Sequence, residues 1–239
     1  MKKAIIIGAS SGIGMQLARM MSADGYILGL AGRRTELLEK LKSELPCEAY
    51  TKYMDISNTQ DSMNSLDELI NEMGSVDLVF LSAGIGHINH DLEWQLEQET
   101  IDINVSGATA IINTTMKYFI NKGVGHLAVM SSVASLRGGY DGPAYAASKA
   151  YLSNYVEGIR CKVKKQNLGI ISITDVKAGL IDTDMAKGEG LFWVMPLEKA
   201  TKQIYNALLK KKDEVYVTKR WGIMAFILKR VPKSLYHKI

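Results

Sequence analysis

Cysteine is almost absent. Cys47 and Cys161 are the two among 239 residues, far apart and in neither a metal-ligand nor a redox spacing. That excludes a disulfide scaffold and favours a reducing compartment, with cytoplasmic localisation as the expectation. Long apolar runs are missing as well: no segment approaches the roughly 20 residues of a membrane span, and the stretch before Gly8 is too short for a signal-peptide core. A soluble chain is therefore expected. Proline occurs four times, and no repeat, low-complexity tract or Pro/Gly/Ser-rich linker interrupts the pattern, which predicts one domain over residues 1–239. Nor is there an excess of one charge: 29 Lys and Arg against 25 Asp and Glu leave a formal net charge of +4. This surplus is too small to imply nucleic acid as a partner, and part of it gathers after Lys210.

What is present is 47% hydrophobic and 23% charged, a globular composition. Apolar runs of strand length recur at 4–7, 27–31, 49–54, 78–82, 127–130, 170–176 and 215–218, and helical periodicity fills most of the gaps. Such alternation predicts a doubly wound α/β fold, a mostly parallel sheet of about seven strands with helices on both faces. After Met54 the signals are dense. Ser57 with Gln60 reads as a capping box, Met63, Leu66, Leu69, Ile70 and Met73 form one apolar face, and Gly74 fits the stop. Before it, Thr35 reads as a candidate helix cap, with Leu37, Leu38, Leu41 and Leu45 on one face and Pro46 at the end.

The first strand runs into GASSGIG, with Gly8, Gly12 and Gly14 at the head of a helix. A glycine turn between strand and helix presents backbone N–H groups and the positive helix end to an anion, although it also serves tight strand–helix packing. The GxxxGxG spacing differs from the GxGxxG of the dinucleotide fingerprint. About 20 residues on, where an acidic residue would hold the ribose 2′-hydroxyl of NAD, the chain reads AGRRTELL. Arg33 and Arg34 there suit a 2′-phosphate and favour NADP(H) over NAD(H), the latter kept as the alternative. Asp55 either accepts from an adenine amino group or starts the next helical turn. Further on, Tyr145 and Lys149 lie four apart in a helical pattern and so on one face. An ammonium beside a phenol favours the phenolate, bringing it toward useful proton transfer.

These motifs together resemble the short-chain dehydrogenases/reductases: GASSGIG at 8–14, MDIS at 54–57, SAG at 82–84, Asn104 in IDINVSG, Ser132, and YAASK at 145–149, in the family's order and spacing. The resemblance runs from Ala4 to Met185. It implies a Rossmann-type domain with Tyr145 as general acid/base, Lys149 lowering its pKa and holding the nicotinamide ribose, Ser132 on the substrate oxygen, and Asn104 supporting a proton path. On the same ground the cofactor would meet Gly8, Ser10, Ser11, Gly12, Ile13, Gly14, Arg33, Arg34, Asp55, Ile56, Ala83, Gly84, Asn104, Tyr145, Lys149, Ile181 and Thr183. The implied activity is hydride transfer between NADP(H) and a carbonyl or secondary alcohol, in a homodimer or homotetramer. A non-catalytic dinucleotide-binding scaffold and a sugar-nucleotide epimerase are the alternatives. Ser131 competes with Ser132, and the spacing to Tyr145 favours Ser132.

Two departures stand out: LSAG puts Ser82 where the family has asparagine, and Ala178–Gly179 replaces its PG turn. From Asp184 to Pro196, Met185, Leu191, Phe192, Trp193, Val194 and Met195 occupy the family's lid position. They suggest a hydrophobic substrate, or else packing on the body or a second subunit. Arg137 and Tyr140 are candidate substrate contacts. His87, His90 and Asp91 lack the further spacing of a metal site. The basic-apolar segment at 219–239 is expected to pack on its own domain or a partner subunit. Peripheral contact with an anionic membrane through Trp221 and Phe226 is the alternative.

Overall fold

The computed structural model describes residues 2–183, 193–228 and 230–236. Seven strands form one sheet: β1 (Lys3–Ile7), β2 (Ile27–Gly32), β3 (Ala49–Tyr53), β4 (Leu78–Leu81), β5 (Val124–Ser132), β6 (Ile170–Ala178) and β7 (Glu214–Val217). Their order is β3-β2-β1-β4-β5-β6-β7, and every pairing is parallel. The order reverses between β1 and β4, so the carboxyl ends of these two strands open the crevice in which doubly wound sheets bind ligands. β1, β2 and β4 are apolar on both faces and almost wholly buried, as a sheet covered on each side requires.

The covering helices are α1 (Gly12–Ala23), α2 (Thr35–Glu44), α3 (Thr59–Met73), α4 (Trp94–Ile101), α5 (Ala108–Lys122), α6 (Pro143–Gln166) and α7 (Leu197–Leu209), followed by α8 (Lys219–Leu228) and α9 (Lys233–Tyr236). Two apolar clusters result. Leu17, Met21, Leu28, Leu30, Leu38, Phe80 and Ile204 fill one side of the sheet, and Ile5, Ile7, Leu66, Leu69, Ile111, Phe119 and Val156 fill the other. The interior of β5 was legible as 127–130, but the strand extends to Val124 and Ser132, which carries its end into the crevice.

Two helix starts differ from expectation. At α3 the cap is Asn58, whose Oδ1 accepts from the Asp61 amide at 3.4 Å, while Ser57 instead donates through N and Oγ to Asp55 Oδ1 at 3.1 and 2.8 Å. The Asp55 turn takes the serine before the helix does. Helix α2 begins at Thr35 itself, so the cap position falls to Arg34, which makes no side-chain cap bond. The core face of this helix is Leu38 and Leu41, with Leu45 just beyond it, whereas Leu37 lies 40% exposed. One step along a helix turns a side chain by about 100°, and four leucines cannot all face inward.

Candidate active site

The site is built from the carboxyl ends of β1, β4, β5 and β6. Gly8 leaves β1 with φ +92°, and a Cβ there would lie 2.7 Å from the Ala83 nitrogen. Only glycine permits that approach. The turn is fastened on both sides: Gly8 and Ala9 amides donate to Ala31 O at 2.8 and 3.1 Å, and Ser82 and Ala83 amides donate to Ile7 O at 2.9 Å. A side chain on Gly14 would overlap the Gly8 carbonyl, so α1 rests directly on the turn. Gly12, at φ +53°, opens α1, and Ser11 precedes it in extended conformation with no side-chain cap bond. The first amides of the helix thus keep their donor capacity.

A cavity of about 1000 Å³ lies over this turn. Gly8, Ser10, Ser11, Gly12 and Ile13 line its floor, Arg33, Arg34, Asp55 and Ile56 one end, Ala83 and Gly84 its middle, and Ser132, Tyr145, Lys149, Ile181 and Thr183 the other end. Gly14 and Asn104 are the two sequence candidates that do not line it. The Arg34 guanidinium bonds Ser10 Oγ at 2.9 Å and Ser11 Oγ at 2.6 Å, so one cation and two hydroxyls gather at the end of β2. Arg33 is exposed at the same rim.

At the far end, Ser132 closes β5. Its Oγ donates to Ala178 O at 3.2 Å and accepts from the Ala134 amide at 3.1 Å. Ser131 turns away, donating to Asp175. Tyr145 stands in the first turn of α6, its ring so close to Gly86 that a Cβ there would lie 2.7 Å from Cδ2. One turn on, Lys149 is 5% exposed, its ammonium donating to Met130 O at 3.0 Å.

The electrostatics correct one expectation. Burial pushes the Tyr145 phenol above its ordinary value, and the Ser132 hydroxyl pulls it back only in part. Burial also lowers Lys149 to about 8, opposed by the Asp175 carboxylate. With its charge already costly, and 5.7 Å from the Tyr145 ring centroid, the ammonium does not by itself bring the phenol down among the protein's own groups.

Asn104 sits behind the wall, in a π-helical turn over Asp102–Gly107 between α4 and α5. Its amide donates to Ile85 O at 2.7 Å and Ser148 Oγ at 3.0 Å, and its Oδ1 accepts from Ile85 N at 2.9 Å. It clamps the loop after β4 and braces α6. Gly84 lies between the parts: a Cβ there would be 3.1 Å from both Asn104 Oδ1 and Lys149 Nζ.

Several wall residues escaped the sequence reading. Trp221, Leu228 and Tyr236 close the substrate end from α8 and α9, beside Arg137 and Tyr140. A Cβ on Gly179 would overlap the Trp221 indole, so the AG turn is a seat for that ring. The Tyr236 hydroxyl donates to Gly138 O at 2.7 Å, and the Arg137 guanidinium covers its ring at 4.5 Å. The unusual Gly179–Trp221 pairing left no periodic signal. His87 Nε2 pairs with Glu99 at 2.9 Å at the pocket mouth. Of the lid segment, residues 184–192, including Met185, Leu191 and Phe192, lie outside the described residues. Trp193 packs edge-on to Trp221 with centroids 6.1 Å apart, and Met195 packs on the core.

Comparison with known proteins agrees with this geometry. The model of the short chain dehydrogenase family matches residues 2–191. The chain belongs to the short-chain dehydrogenase/reductase family. An uncharacterized oxidoreductase of Myxococcus xanthus is 26% identical, with 98% of this chain and 94% of the relative covered. Another from Mycobacterium tuberculosis is 33% identical over 77% of this chain and 75% of its own. A crystal structure of a short chain dehydrogenase from Burkholderia cenocepacia in complex with NADP superposes with a TM-score of 0.84 at 19% identity, covering 100% of this chain and 98% of that one. As a short-chain dehydrogenase/reductase the chain is an oxidoreductase with a Rossmann-like fold.

Proposed function

We propose that this enzyme transfers hydride between NADP(H) and a carbonyl or secondary alcohol, with Tyr145 as the general acid/base. The observation that carries the reading is one continuous cavity joining the glycine turn and Arg34 at one end to Ser132, Tyr145 and Lys149 at the other. The donor set fits a dinucleotide. Glycines keep the floor open, the head of α1 offers amide donors, and Ser10, Ser11, Arg33 and Arg34 suit a phosphate on the adenosine ribose. NADP in the Burkholderia cenocepacia structure is consistent with that preference.

When bound, the nicotinamide cofactor supplies or accepts the hydride. The chain's own groups manage the charge that appears on the substrate oxygen. Tyr145, held above its ordinary pKa, keeps its proton at neutral pH and so can give it to an oxyanion in the reducing direction. Ser132, beside the phenol, offers a second donor. Lys149 brings positive charge to the same end, from a position where Asn104, Gly84 and Met130 restrict it. By Asn104 holding Ile85 and Ser148, the loop and helix that carry these groups stay in register. Against a scaffold role, a pure binder does not need a phenol and a hydroxyl converging on the ligand end of the cavity.

The cofactor assignment is tested by titrating NADPH and NADH against intrinsic fluorescence, in the wild type and in Arg34→Ala. NADPH should bind at least tenfold tighter, and Arg34→Ala should erase most of the difference. Tighter NADH binding in the wild type would overturn it. A panel of aldehydes, ketones and secondary alcohols, followed at the nicotinamide absorbance band, then identifies the substrate class.

A further inference from the structure

The last 25 residues carry six of the 29 Lys and Arg and none of the 25 Asp and Glu, so the chain before residue 215 has a net charge of −2 and its end +6. The molecule is strongly polarised, and its whole positive excess belongs to α8, α9 and their flanks. α8 is fixed to the body by one face: Trp221 is 7% and Ala225 2% exposed. On the opposite face Ile223, Phe226 and Ile227, at i, i+3 and i+4, are 67%, 59% and 49% exposed, and Leu235 of α9 is 52% exposed. Arg220 and Arg230 are exposed on the same segment, and the Arg230 guanidinium covers the Phe226 ring at 3.6 Å. Large apolar side chains set together in water among cations mark an interaction surface.

We propose that α8 and α9 form a docking surface for an anionic lipid membrane, with the exposed apolar face entering the headgroup boundary and the arginines meeting lipid phosphates. A ten-residue helix is about 15 Å long, half the thickness of a bilayer core, so it lies in the interface and does not cross. A second copy of the chain is the poorer occupant: an isologous contact would bring two basic, acid-free surfaces together. Nucleic acid would satisfy the cations but leave the isoleucines and phenylalanine unused. Leu228 of the same helix and Tyr236 of α9 line the cavity, so docking here places that wall of the cavity against the lipid. Trp221 packs into the body, as the sequence leads one to expect of this segment, so the lipid-facing side chains are Ile223, Phe226 and Ile227 and not the indole.

Sedimentation of the full chain with vesicles tests this, using phosphatidylcholine alone or mixed with phosphatidylserine, at low and high salt. The wild type should sediment with the anionic vesicles at low salt, at least tenfold less with phosphatidylcholine or high salt. Ile223→Ser/Phe226→Ser should reduce binding at least tenfold while thermal unfolding and NADPH binding stay as in the wild type. The proposal is overturned if the wild type stays in the supernatant at low salt. It is overturned equally if the double variant binds as well as the wild type, which would mean adsorption by charge alone, or if the double variant only converts an oligomer to a monomer.

Discussion

Two buried lysines, one in the site and one in the frame, have opposite fates. Lys149 and Lys177 are each 5% exposed and both feel Asp175. Lys177 reaches that carboxylate at 2.6 Å and also Glu214. Burial alone would lower its pKa, but the two carboxylates raise it overall. Ser153 and Ser131 complete the ring around Asp175. Lys149 has a backbone carbonyl and a distant carboxylate, and its pKa falls to about 8. The first is a satisfied structural pair; the second is a cation kept short of partners, available to a ligand and to the phenol beside it. Holding that charge buried and weakly paired costs the fold stability.

The same substitution at the two sites should therefore have opposite signs. Lys177→Met leaves Asp175, 3% exposed, with no cation in contact, and should cost about 3–5 kcal/mol. At 2–4 °C per kcal/mol, differential scanning calorimetry should show roughly 10 °C lost. A drop near zero would mean that the network carries no net stability. Lys149→Met should abolish turnover yet stabilise the fold at neutral pH. Its folded pKa of about 8 lies below the ordinary 10.5, so the unfolded chain binds more protons between those values and stability of the wild type rises with pH across that window. Removing the charge should gain up to ~3 kcal/mol at pH 7. Denaturant titration that shows Lys149→Met as less stable would break the comparison.

A third buried group sharpens it at the other end of β5. His126 bonds Thr174 Oγ1 at 2.8 Å, and burial, with Lys211 nearby, lowers its pKa from 6.5 to about 4. Below pH 6.5 the unfolded chain takes up a proton that the folded chain refuses until about pH 4. Stability should fall by ~2–3 kcal/mol across that window. In His126→Gln this part of the slope should vanish, measured by urea unfolding from pH 7 to 4. An unchanged slope would assign the loss to the carboxylates.

The sheet and the glycine turn were legible because their causes are local: apolar runs of strand length, glycine at forced backbone angles, and helical spacing of Tyr145 and Lys149. Ser132 was preferred to Ser131 on the family resemblance and its spacing to Tyr145, and in the structure the Ser131 hydroxyl is tied to Asp175 and Ser132 lines the cavity. Asn104 was legible as a residue but not as a clamp, since its partners Ile85 and Ser148 are 19 and 44 positions away. Asp175 and Lys177 are only two apart, but Glu214, which completes their network, is 37 positions from Lys177, and a similar separation hid the seating of Trp221 on Gly179. Phenol ionisation was misjudged because spacing places Lys149 beside Tyr145 without reporting how deeply both are buried.

The central claim, that Tyr145 gives the proton as hydride moves, is tested most directly by rapid mixing. Enzyme saturated with NADPH is mixed with a carbonyl substrate from the panel, and the nicotinamide absorbance is followed through one turnover. Wild type should oxidise the cofactor in a single phase, and Tyr145→Phe should hold it unconsumed, at least 100-fold slower, with NADPH affinity unchanged. Equal rates in the two proteins would contradict the account.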